Sequence, residues 1–151
     1  MKRYLLRTFL FVLLPIAIIL SVVVATKICY VGKSITDGHL ERNAVELVIL
    51  YMEDNRGSWP NSWEALEPQF SKVFGYGQTA DRFVEDCKNR IAVDFSANAD
   101  ELRQQSKTND KPTFKVVYAR YTDAIPPTGD PNLILYLYFR NGRSQPPENT
   151  R

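Results

Sequence analysis

The stretch GHLERNAVELVILYMEDNRGSWPNSWEALEPQF, residues 38–70, decides the fold. Leu40, Ala44, Leu47, Val48 and Tyr51 recur at helical spacing, and Val45, Ile49 and Met52 widen that stripe. Arg42, Asn43, Glu46 and Glu53 are left for a narrower polar side. So wide an apolar stripe needs a cover, and a sheet is the simplest one. Asp37 is placed to cap the helix start, and Gly57 to supply a left-handed residue past its end. Pro60 lacks a backbone donor and disfavours helical geometry at Trp59, so the chain turns at Ser58-Trp59-Pro60. Asn61 or Ser62 then caps a short helix, WEALE, which Pro68 closes. Trp59, Trp63, Leu66 and Phe70 fold back over the long helix as an apolar plug, each large side chain contributing roughly 1.5 to 3 kcal/mol on burial. The alternative use of these rings is an exposed aromatic docking patch.

Upstream, fifteen of the eighteen residues 8–25 are apolar, and no charge falls between Arg7 and Lys27. Residues 4–26 supply the roughly 20 apolar positions that a membrane-crossing helix needs. Pro15 is tolerable as a kink in such a helix. Lys2, Arg3 and Arg7 precede the span and keep the N-terminus in the cytoplasm. The expected layout is an anchor and juxtamembrane segment over 1–33, an exported domain over 34–140 and a disordered tail over 141–151. The expected location is the inner (cytoplasmic) membrane, with the body on its far side. A cleaved signal peptide is the competing reading, with Val23-Val24-Ala25 as its cleavage pattern. Lys27 and Ile28 stand where small residues would precede a lipidated Cys29, which excludes a lipoprotein.

An apolar helix running out in Asp54-Asn55-x-Gly57-x-Trp59-Pro60, with a short helix carrying Leu66 after it, resembles the exported part of bacterial type IV pilin-like proteins. It is closest to the major pseudopilins of type II secretion. The resemblance covers about the first 70 residues and implies a long helix packed on a small antiparallel sheet. No Gly precedes Gly32 and no acid precedes Asp37, so the family's leader Gly and early Glu have no counterpart. The likeness is that of a shared module on a different anchor. Major pseudopilins bind calcium in a late loop. Here TDAIPPTGDPN offers Asp123, Asp130 and Asn132, too few oxygens for that ion, and no cofactor or metal is expected.

In the second half, TADRFVEDCKNR (79–90) predicts a short helix with Thr79 or Asp81 near its start. IAVDF (91–95) predicts a strand with Ile91, Val93 and Phe95 inward. Asn98 and Glu101 stand at capping-box spacing for one or two helical turns. TFKVVYARY (113–121) predicts a strand with Phe114, Val116 and Tyr118 on one face. LILYLYFR (133–140) predicts another, with Leu133, Leu135, Leu137 and Phe139 opposite Ile134, Tyr136, Tyr138 and Arg140. Residues 70–78 and 125–132 read as loops. The expected fold class is α+β: a transmembrane helix and a long amphipathic helix packed on an antiparallel sheet of about three to four strands. A central strand explains the apolar LYLYF; an exposed ladder of Tyr136 and Tyr138 for partners is the alternative.

The chemistry of the chain points away from catalysis. His39 is the one histidine, and it stands at a helix start. Cys29 and Cys87 allow one disulfide at most and have no metal-ligand spacing. Outside the first 33 residues, 14 basic residues face 17 acidic ones, a balance that disfavours a nucleic-acid partner. The expected function is a membrane-anchored, non-enzymatic envelope protein that binds other envelope proteins or itself. The alternative is an exported small hydrolase or ligand-binding domain using Asp94, Asp100 and Glu101.

Overall fold

A 53-residue helix, α1 (Lys2–Asp54), opens the chain in a computed structural model that describes residues 2–73, 80–122 and 129–142. Pro15, Gly32 and Gly38 are all helical within it. The chain divides into two units, Met1–Lys33 and Ser34–Arg151. In the first, every described side chain from Leu14 on is exposed, Ile16, Ile18, Ile19, Leu20 and Val22 among them. Its hydroxyls turn back on the helix: Ser21 Oγ donates to the Ala17 carbonyl and Thr26 Oγ1 to the Val23 carbonyl, both at 2.8 Å. Internal satisfaction of polar groups is what an apolar surrounding demands.

The second unit is mostly helical. After α1 come α2 (Trp63–Val73), α3 (Ala80–Arg90), β1 (Ile91–Val93), α4 (Ala99–Thr108), β2 (Val117–Ala119) and α5 (Pro131–Asn141). Among the described residues the sheet has two antiparallel strands, with Ile91 opposite Ala119, Ala92 opposite Tyr118 and Val93 opposite Val117. The α+β class holds in this coarse form, and the sheet of three to four strands does not.

The missing strand is 133–140, which is helix α5. Its residues are apolar at nearly every position, so alternation fits them no better than helical spacing. The ends decide. Asp130 is the N-cap, its carboxylate accepting from the Asn132 amide at 2.8 Å, and Pro131 fills the first turn, where its missing donor costs nothing. Gly142 closes the helix in the left-handed region at φ 72°, donating its N–H to the Tyr138 carbonyl. Asn132, Leu135, Tyr136 and Phe139 form the buried face.

The strand expected over 113–121 shrinks to β2, and its faces are not the alternating ones. Val116 and Val117 are both buried, whereas Tyr118 is turned outward with the Lys115 ammonium 5.2 Å from its ring centre. All three residues of β1 are buried, while Phe95 beyond it is only partly so. Helix α4 runs for ten residues rather than one or two turns, with Asn98 as its N-cap accepting from the amides of Asp100 and Glu101. Pro68 does not close α2. It sits inside that helix, and burial of Gln69 and Phe70 carries the last turn past it. Ser62, not Asn61, is the residue that accepts from this helix, from the Ala65 amide at 3.4 Å. Thr79, the 74–78 part of the loop expected at 70–78, the 125–128 part of that expected at 125–132, and tail residues 143–151 lie outside the described residues.

The core gathers Leu40, Ala44, Val45, Leu47, Val48, Ile49 and Met52 of α1 with Trp63, Leu66 and Phe70 of α2, Phe83 and Cys87 of α3, and Leu135 and Phe139 of α5. The apolar plug expected from α2 is therefore in place, with Trp63 meeting Phe95 edge-on at 5.7 Å between ring centres. Helical packing of α5 makes a discriminating prediction, because Leu135 is fully buried whereas Leu133 and Leu137 are 39% and 37% exposed. Leu135→Ala should cost about 2–5 kcal/mol of unfolding free energy, and Leu133→Ala and Leu137→Ala less than half as much. Equal losses at all three, measured by urea unfolding, would indicate the strand arrangement instead.

Candidate functional site

Asp54, Asn55, Gly57, Trp59, Pro60 and Leu66 meet at the corner where α1 gives way to α2. The Asn55 amide donates to the Tyr51 carbonyl at 2.9 Å and that of Gly57 to the Met52 carbonyl at 2.7 Å. The second bond is the wide closure that ends a helix in a Schellman turn. Gly57 has the positive φ expected of it, 82°, but Arg56 before it is also left-handed at 55°. The side chain of Asn55 reinforces the turn through Nδ2 to the same Tyr51 carbonyl. Trp59 donates Nε1–H to the Asp94 carbonyl at 2.8 Å, which ties the corner to the end of β1. Pro60 and Leu66 are fully buried. Asp54 accepts from Lys72 Nζ at 2.6 Å and from Gln69 Nε2 at 3.0 Å, and these donors hold its carboxyl below the usual range. That contribution is present above the ordinary carboxylate pKa and is lost as pH falls through the lower folded value.

A second polar constellation lies earlier on α1. Asp37, expected as a helix cap, is inside the helix instead, because α1 does not begin there. It is 2% exposed, its Oδ1 lies 2.5 Å from an Arg90 guanidinium nitrogen, and its Oδ2 accepts from the Thr122 hydroxyl at 2.6 Å. One turn on, Glu41 is 5% exposed and its Oε1 accepts the Ala119 amide of β2 at 2.5 Å. Burial, with the nearby Asp130 and Asp37 carboxylates, pushes the Glu41 carboxyl up, against the lowering effect of the Ala119 amide and Lys115. Both acids extend the apolar stripe of α1 by one turn, since 37, 40, 41, 44 and 48 share a face. Acids continuing an apolar stripe were the signal in the sequence that this pair is buried.

The remaining candidates are committed locally. Asp94 accepts from the amide and hydroxyl of Ser96, and Asp100 pairs with Arg103 at 2.5 Å. Asp130 caps α5. Asn132 accepts from the Val116 and Val117 amides and donates to the Val117 carbonyl. Asp123 lies outside the described residues. Tyr136 and Tyr138 form no exposed ladder: Tyr136 is 3% exposed, hydrogen-bonds Arg140 and donates its hydroxyl to the Asn109 carbonyl at 2.7 Å, and Tyr138 is partly buried against the core. His39 is exposed on α1. Both cysteines are free thiols, Cys29 exposed and Cys87 buried, and burial pushes the Cys87 thiol up, so that it is protonated and unreactive at neutral pH.

No protein-family model, curated protein or solved structure matches this chain. Function therefore rests on the geometry alone. The Asp37–Arg90 pair makes a checkable prediction. Arg90→Ala strands a buried carboxylate and should cost about 3–5 kcal/mol. Asp37→Asn placed in the Arg90→Ala background should recover part of that loss in urea unfolding. Simple additivity of the two substitutions would show that the pair is not coupled.

Proposed function

We propose that this protein is a single-pass, non-enzymatic envelope protein whose N-terminal helix crosses the cytoplasmic membrane and whose exported, pilin-like body binds other proteins. The observation that carries this is the first unit's helix, which holds no charge between Arg7 and Lys27, is exposed from Leu14 on, and returns the Ser21 and Thr26 hydroxyls to its own carbonyls. A surface of that kind is stable in lipid and costly in water. Lys2, Arg3 and Arg7 before the span set the N-terminus in the cytoplasm.

The pilin-like character draws support from the corner at residues 54–66. There the six residues of the resemblance build the turn that joins α1 to α2. A binding role is favoured by the way the acids are used. Asp37, Glu41, Asp54, Asp94, Asp100 and Asp130 hold helix ends, turns and strand edges together.

Native Cys87 is too buried to report topology, so the test needs an introduced thiol. Gln104→Cys on the exposed face of α4, combined with Cys29→Ser, should react with a membrane-impermeant maleimide in intact spheroplasts. Labelling only after lysis would place the body in the cytoplasm and sink the proposal. In-cell crosslinking should recover adducts with other envelope proteins or with a second copy, and monomer alone under several chemistries would contradict the binding role.

A further inference from the structure

The chain enters the second unit at Ser34, and only residues 27–33 separate that point in sequence from Thr26, where the apolar run of α1 ends. Asp37 fixes what surrounds this entry. It accepts from the Thr122 hydroxyl at 2.6 Å and pairs with Arg90 at 2.5 Å, so the segment that follows β2 lies against the start of the unit. Next to Thr122 stands Tyr121, 74% exposed, more than any other large hydrophobic side chain among the described residues of this unit. Ile35, two residues before Asp37, is 46% exposed.

The same segment is basic. Residues 111–122 hold Lys111, Lys115 and Arg120 and no acid. Lys115 and Arg120 are exposed, the first over the ring of Tyr118, itself exposed, and the second held by its Nε donating to the Ile91 carbonyl at 3.2 Å. The two acids that touch this segment, Asp37 and Glu41, are buried and do not offset the bases at the surface. Asp130, the exposed acid near Glu41, is engaged as the cap of α5. Tyrosine concentrates at the headgroup level of a bilayer, its ring against acyl chains and its hydroxyl in water. Lysine and arginine lay their apolar stems along the same layer and present their charges to phosphates.

We propose that the face around Ile35, Lys115, Tyr118, Arg120 and Tyr121 docks on the headgroup layer of the membrane that α1 crosses, with anionic phospholipid as its preferred surface. The inference rests on the membrane anchor proposed above and gives the body a hold on the bilayer besides the helix.

The test uses the full chain in liposomes of phosphatidylcholine, with or without phosphatidylglycerol. Tyr121→Cys in a Cys29→Ser background carries a fluorophore, and a lipid with a nitroxide on its headgroup quenches it. The comparison site is Gln104→Cys, beside Arg103, whose guanidinium lies next to Gly57 past the other end of α1. Quenching at 121 should be severalfold stronger than at 104 when phosphatidylglycerol is present. Removing that lipid, or combining Lys115→Glu with Arg120→Glu, should bring it down towards the level at 104. Equal quenching at the two sites, or quenching at 121 that ignores lipid charge, overturns the proposal. A probe at 121 shielded from aqueous iodide but not quenched by the headgroup nitroxide also overturns it, because a second copy would then cover the face. Should the labelled variant fail to fold, the native chain in lipid nanodiscs decides: the headgroup nitroxide should broaden the amide signals of residues 118–122 and spare those of 100–104, and the absence of that contrast overturns the proposal. Flotation separates the two readings. A chain that does not float with the liposomes contradicts the anchor and this docking with it, whereas one that floats with 121 unquenched contradicts the docking alone.

Discussion

The flank of α1 between Leu40 and Met52 is the surface against which the second unit is built. Ala44, Val45, Leu47, Val48 and Met52 are fully buried there, and they share one core with side chains from α2, α3, α5 and both strands. A two-stranded sheet of three residues per strand could not hold itself together in water. Its strands persist because Ile91 and Val117 are buried in that core and because neighbouring side chains satisfy the outer edge of β2. Helix α1 thus contributes the apolar floor, and the other elements are short because each needs only to cover part of it.

Polar contacts then fix how the cover sits. Asp37 reaches Arg90 and Thr122, Glu41 reaches Ala119, and Asp54 reaches Gln69 and Lys72, so acids at three places along α1 hold three separate parts of the chain. The first and second are buried, where losing a partner is expensive; the third is exposed and correspondingly weak. Trp59 adds a fourth tie through the Asp94 carbonyl. Non-directional burial would allow α2 and α3 to slide over a stripe as wide as this one. Directional bonds to fixed positions on α1 restrict that freedom.

Much of this was legible in the sequence. The stripe on α1, the turn at Trp59-Pro60, the aromatic plug and the Asn98 cap all rest on local rules, and they appear as expected. The errors came where local rules compete. In LILYLYFR an unbroken apolar run hides its period, and the deciding signals, Asp130-Pro131 and Gly142, lie at its margins in what reads as loop. Pro68 is a helix breaker on propensity, yet tertiary burial of its neighbours outweighs the lost bond. Asp37 reads as a cap only if a helix starts there. The place of Asp37 and Glu41 on the apolar stripe was a local signal of their burial, but their partners Arg90, Ala119 and Thr122, 53 to 85 residues away, are revealed by no local pattern.

Native-state hydrogen exchange on the full chain in detergent micelles tests most directly whether the flank of α1 is the foundation of the second unit. The amides of residues 44–52 should be the slowest in that unit, exchanging only when the whole unit unfolds, while those of α4 and α5 open earlier. Exchange of the α1 amides through a smaller opening than those of α5 would contradict the account, and would make α1 a late addition to a core formed without it.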